Sequence, residues 1–237
     1  MRVILRLLAV LILAVNPAAV LAQTDATIKF DSYGRLTTDD EAARLDLFFD
    51  HLQTHPNVHG YLVGYNQPTI ETGVFLRRLH GDAHYLVEMR GLTPDRLSVI
   101  DAGYRPSFTL ELWAVTRDGA PPPLTPSLPP PAVNKRELYD EECLECEPAV
   151  MLDLYGLSDG LRFYADRLQR DARARGLIIV RPSPSVSVRF ALNQARRARY
   201  VLTNTHHVRA NRISIAVAPR RKDNLSTAQF WIIRRPR

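Results

Sequence analysis

Apolar residues recur along this chain with two different periods. Between residues 39 and 54, Leu45, Phe48, Phe49 and Leu52 fall at three-to-four spacing, the buried stripe of an amphipathic helix. Thr37, Thr38 or Asp39 stands where an N-cap is needed, and Asp39, Asp40 and Glu41 place acid in the first turn, where the helix dipole favours it. Short runs at 27–30 and 60–65 read as strands. A second helix is expected near 72–90. Thr93-Pro94-Asp95 then turns the chain into a strand over 97–102, and a last strand over 108–115 holds Trp113. The same order returns later. A strand is expected at 150–154, a helix at 157–174 with Leu161, Phe163, Tyr164 and Leu168, and a strand at 177–181. A helix over 188–205, a strand within 211–219 and a strand at 229–234 holding Trp231 complete it.

The two series superpose. Residues 44–103 slide onto 160–219 at a shift of 116 without a gap, matching Leu45, Asp50, Leu52 and Gln53 with Leu161, Asp166, Leu168 and Gln169. Gly60, Pro68, Leu86, Arg96 and Ser98 meet Gly176, Pro184, Leu202, Arg212 and Ser214. FDSYG at 30–34 resembles LDLYG at 152–156, and the only two Trp align. This is the pattern of a tandem duplication. The expected fold is α+β: two-layer β-α-β-α-β(-β) modules with the helices on one face of each sheet.

Composition adds boundaries. A chain of 237 residues, 46% hydrophobic and 24% charged, has room for proper cores and is not a disordered polymer. Residues 1–22 read as a signal peptide: Arg2 and Arg6, an apolar run, then Val20-Leu21-Ala22. A membrane anchor is the alternative, but Asn16 and Pro17 interrupt a segment already short for a span. Residues 23–118 form the first module. Residues 119–147 read as a linker, a polyproline tract (GAPPPLTPSLPPPAV) followed by an acidic stretch, and 148–237 as the second module. The net charge of +6 hides a division. Residues 23–147 hold 11 basic and 20 acidic side chains, a net of −9, whereas 148–237 hold 18 and 5, a net of +13.

The ordered set Phe30-Asp31-Ser32, Leu45-Asp46, Tyr85-Leu86, Gly91-Leu92 and Arg96-Leu97 resembles the OmpA-like C-terminal module, a periplasmic domain that anchors outer-membrane proteins to peptidoglycan. The resemblance covers about 90 residues of the first repeat and, more faintly, 85 of the second. It implies the two-layer architecture and a place in the bacterial envelope. In that family an Asp after the second strand meets the diaminopimelate ammonium and an Arg on the second helix holds its carboxylate. Arg78, with Arg77 beside it, stands at the helical position, and Gln194 replaces it in the second repeat. The Asp is replaced by Gly64-Tyr65-Asn66-Gln67, and by Val180-Arg181-Pro182-Ser183. An amide does not substitute for a carboxylate against an ammonium, because charge-assisted hydrogen bonds are about twice as strong as neutral ones.

Cys143-Leu-Glu-Cys146 has the spacing of a disulfide, a redox pair or half a zinc site. Glu141, Glu142, Glu145 and Glu147 disfavour a thiolate, and nothing in the sequence places His206-His207 nearby as the two further zinc ligands, so the first reading is a disulfide. His51, His55 and His59 read as a solvated helix end, and no nucleophile motif or phosphate loop stands out. The basic residues of the second half are the strongest remaining signal, above all Arg196, Arg197 and Arg199 on the second helix. The expectation is a non-enzymatic exported envelope protein without cofactor or metal. Peptidoglycan, another anionic envelope polymer or a protein is its partner, and nucleic acid is not. Binding is expected at Arg77, Arg78, Asn66, Gln67, Arg196, Arg197 and Arg199, with a CxxC redox or metal protein and a self-docked two-module scaffold as alternatives. After the leader, no stretch is long and apolar enough to cross a bilayer.

Overall fold

The computed structural model describes residues 26–132, 134–144, 156–220 and 225–234. The expected leader and the strand expected at 150–154 lie outside them. The first unit runs β1 (Thr27–Tyr33), α1 (Thr38–Thr54), β2 (Val58–Asn66), α2 (Thr72–His84), β3 (Leu97–Tyr104) and β4 (Thr109–Thr116). A π-type turn, Tyr85–Met89, continues α2. The second runs β5 (Arg136–Cys143), α3 (Gly156–Arg170), β6 (Ala174–Arg181), α4 (Val188–Asn204), β7 (Ile213–Val217) and β8 (Thr227–Arg234). Each unit is one mixed four-stranded sheet, ordered β1-β4-β2-β3 and β5-β8-β6-β7, which is the same order twice. Among the described residues the parallel pairs are β2 with β3 and β6 with β7, the pairs joined through a helix.

The repetition extends to single bonds. Arg96 donates through Nη2 to the carbonyls of Leu52, His55 and Val58 at 2.7, 2.9 and 2.8 Å. Arg212 donates to those of Leu168, Asp171 and Ala174, each 116 positions later. These carbonyls end the first helix of each unit and start the next strand, so one guanidinium satisfies orphan acceptors on both sides of a turn. Gly60 and Gly176 permit the helix above to sit close. A Cβ on Gly60 would lie 2.7 Å from Leu52 Cδ1, and one on Gly176 the same distance from Tyr164 Oη. Thr37 caps α1 by accepting from the Asp40 amide, and Ser187 caps α4 by accepting from that of Phe190.

The second unit starts earlier than its composition suggests. Residues 136–143, expected to be acidic linker, form β5 and pair antiparallel with β8. Both first strands carry an irregularity at the same place, between Lys29 and Asp31 and between Leu138 and Asp140. Tyr139-Asp140 therefore takes the part of Phe30-Asp31, in place of the 152–156 segment. Phe30 contacts the Phe48 ring at 5.3 Å and Tyr139 the Tyr164 ring at 5.4 Å. Acid is tolerated in β5 because arginines answer it: Arg234 meets Glu137 at 2.8 Å, and Arg77 meets Asp140 at 2.8 Å. Moving residues 134–147 across the boundary leaves 9 basic and 14 acidic residues in 23–133, a net of −5, and 20 and 11 in 134–237, a net of +9. The helix expected to reach 174 ends at Arg170, since Ala174 already begins β6.

The units touch through α2, which lies over its own sheet and also against α3 and β5. Leu76 packs against both cores. The polyproline tract is a strap. It leaves β4 beside Ala26, crosses the helix-free face of the first sheet, and bridges Leu128 to Tyr104 at the β3 edge. Beneath it Val63, Tyr65, Ala102 and Trp113 form a second, smaller core.

Replacing Arg96 or Arg212 by alanine leaves three carbonyls without their charged donor. Each change should cost about 1.5–3 kcal/mol. Because α2 belongs to both cores, either should shift one common transition in urea, followed by circular dichroism, without splitting it in two.

Candidate functional site

Adjacent positions on α2 send Arg78 and Arg77 in different directions. Arg78 turns back to α1 and grips Glu41 through Nη2, at 2.9 Å to Oε1 and 2.8 Å to Oε2, with its guanidinium 5.0 Å from the Phe108 ring. Glu41 is 2% exposed. One turn further along α2, Asp82 is fully buried, and neither of its oxygens has a hydrogen-bond partner, nor has the Tyr33 hydroxyl. Burial pushes the Asp82 carboxyl well above the usual range, and the Glu41 charge adds to this while Arg78 opposes it. Glu41 is itself raised by burial against the pull of Arg78, and the Tyr33 phenol is raised by burial with Asp82 and Glu41. Arg78 thus serves two buried carboxyls beside a buried phenol, and its bidentate face is filled from within.

Asn66 and Gln67, expected beside Arg78 as ligand contacts, shape the loop between β2 and α2. Asn66 is buried and donates to the Ile70 carbonyl at 3.3 Å. Gln67 accepts from the Phe108 amide at 3.3 Å and donates to Thr69.

Arg77 points into the second unit. Its Nε and Nη2 take the two oxygens of Asp140 at 3.0 and 2.8 Å, and Glu142 stands 3.6 Å from Nε. The Asp140 side chain is 2% exposed. Burial raises its carboxyl, with the Arg77 charge and hydrogen bonds opposing. Gly73 makes the approach possible, since a Cβ there would lie 2.6 Å from that of Asp140. A cleft of about 530 Å³ opens beside this contact, floored by Ile70, Leu76 and Phe163, with Glu71 and Asp101 toward one unit and Arg136 and Arg170 toward the other. The sequence held one signal for the Asp140 contact, the likeness of Tyr139-Asp140 to Phe30-Asp31. None marked Asp82.

The arginines of α4 behave differently. Arg189, Arg196, Arg197 and Arg199 are exposed, together with Phe190 and Tyr200. Residues 188–204 contain no acid, and none of the four meets a carboxylate among the described residues. Arg196 reaches only Asn193, one turn away, and Arg199 the Ala210 carbonyl, both at 3.3 Å. Arg196, Arg197, Tyr200 and Val201 line a shallow surface depression. Cys143 closes β5 and is disulfide-bonded, while Cys146 lies outside the described residues. Among the described residues no His, Cys, Asp and Glu cluster is disposed to hold a metal ion, and no helix is long and apolar enough to cross a membrane. No family model matches the chain, and no curated protein is significantly similar to it.

Arg77→Ala should destabilise the chain by about 3–5 kcal/mol, the usual cost of leaving a buried charge unpaired. Removing Asp140 in the same molecule should return part of that loss in a double-mutant cycle read by chemical denaturation. Asp82 supplies a pH signature. A carboxyl raised in the folded state favours folding fully below its unfolded value, near 3.8, and loses that contribution as pH rises through the folded value. Asp82→Asn should therefore gain stability over the parent chain between pH 4 and pH 8, seen as a urea midpoint that falls less with pH.

Proposed function

We propose that this chain is a non-enzymatic, exported cell-envelope protein in which two docked modules present the α4 face to an anionic envelope polymer, peptidoglycan first among them. The observation that carries this reading is the contrast between the two sets of arginines. Arg77 and Arg78 are engaged by buried carboxylates. Arg189, Arg196, Arg197 and Arg199 lie exposed on one acid-free helix, with Tyr200 among them. Helix dipoles favour cations only near the last turn, and Arg189 is in the first. Four like charges on one helix repel one another, an arrangement that an external polyanion relieves. The resemblance to OmpA-like modules supports the compartment, and the missing pocket Asp together with the engaged Arg78 favours this surface over that family's pocket.

A self-docked scaffold that holds a protein is the second reading, and the Arg77–Asp140 contact favours it. Pull-down with purified sacculi separates the two. Under the first reading the chain sediments with sacculi at about 20 mM salt and is released near 0.5 M, since screening shortens to a few ångströms at high ionic strength. Arg196→Ala, Arg197→Ala and Arg199→Ala combined should reduce sedimentation at least tenfold without altering the melting temperature. Absence of binding at both salts would sink the polymer reading.

A further inference from the structure

The two sheets match on their helix-free faces, yet among the described residues only the first is covered. In the first sheet a cross-strand row runs Lys29, Trp113, Tyr61, Ser98, and the row beside it runs Glu111, Val63, Ile100. In the second the rows are Leu138, Trp231, Leu177, Ser214 and Gln229, Ile179, Ala216. Even the side-chain bond along the last strand recurs: Trp113 donates to Glu111 at 3.0 Å and Trp231 to Gln229 at 3.1 Å. The first face lies under the strap. Pro122 is buried, and Trp113, Val63 and Tyr65 are 8%, 0% and 0% exposed. Polar bonds fix the strap's backbone there: the Thr125 amide donates to the Tyr65 hydroxyl at 3.1 Å, and Arg105 donates to the Thr125 carbonyl at 3.3 Å.

On the second face Leu177, Ile179, Trp231 and Ile233 all remain partly exposed, and no segment among the described residues lies over them as the strap lies over the first. Tyr65 is replaced by Arg181, which makes no hydrogen bond or ion pair among the described residues and whose Nε is buried without an acceptor. Arg175 stands on the same face, since β6 alternates buried and outward positions from Ala174 to Arg181.

We propose that the helix-free face of the second sheet is a docking site for an extended, proline-rich segment of a partner protein, neutral to acidic in charge. The chain's own strap shows what this surface architecture receives. A polyproline segment holds its carbonyls outward and unbonded, and each proline lacks an N–H. A face built to receive it needs donors along an apolar strip, and Arg181 stands at one end of such a strip, beside Ile179 on β6, with Leu177 and its cross-strand neighbour Trp231 one row further along. Replacing the tyrosine hydroxyl by a guanidinium exchanges a mixed donor and acceptor for a donor alone. It also adds positive charge, which disfavours a basic segment.

The test is calorimetric titration of the full chain with a synthetic peptide of sequence GAPPPLTPSLPPP, the strap's own residues 119–131. The expected result is saturable one-to-one binding, weakened at least tenfold by Arg181→Gln and abolished by Ile179→Glu, with the Arg196, Arg197 and Arg199 changes without effect. A peptide with serine at every proline should bind at least tenfold more weakly, having more freedom to lose. If Ile179→Glu fails to fold by circular dichroism, Arg181→Gln carries the decision. No saturable binding would overturn the proposal, as would binding indifferent to Arg181→Gln or to the loss of proline. A concentration-dependent dimer dissolved by Arg181→Gln would overturn it in favour of a second copy of the chain.

Discussion

Two carboxylates on an edge strand, Asp140 and Glu142, are buried, and the cation that answers Asp140 belongs to the other unit. In the first unit the corresponding Asp31 pairs with Arg44 of its own first helix at 2.7 Å, with a quarter of its side chain exposed. In the second the same position is buried and turned to Arg77 on α2. A local surface pair has become a contact between units. Surface pairs of the first kind are worth little, whereas breaking a buried pair leaves a charge that the interior cannot solvate. The second sheet therefore relies on the first unit for the neutrality of its own edge. Gly73 and Gly160 follow from this, since side chains at either position would crowd Asp140, Arg77 or Glu142.

Most of the element order was legible in the sequence, because each helix carries a stripe and each strand an apolar run bounded by turn residues. The match of Arg96 with Arg212 was visible too, and it marks the pair of three-carbonyl clamps that closes the same turn in both units. The first strand of the second unit was not legible. Its alternation is masked by six acids between 137 and 147, and acidity reads as linker when the answering arginine lies 63 positions away. Arg78 was legible as a helical arginine of interest but its engagement was not, since Glu41 looks like ordinary first-turn acid until α1 and α2 are brought together. Asp82 left no trace in the pattern. A lone acid on a helix looks solvated unless the packing around it is known.

The charge division changes character once the units are drawn at their true boundary. Part of the acidic surplus assigned to the first half lies in β5, where it is neutralised by Arg77 and Arg234. What remains unbalanced is concentrated on α4 and on the outer face of β6, two surfaces that no described segment covers. The strap makes the same distinction for apolar surface, since one sheet closes over its Trp and the other leaves it partly open.

Leu76 belongs to two cores at once, and Arg77 follows it directly on the same helix. Neither copy of the repeat is then free to drift alone. A substitution on α2 that suits one sheet is tested at once against the other, so this helix should accumulate change more slowly than α1 or α4. One helix thus answers to the packing of two sheets at once.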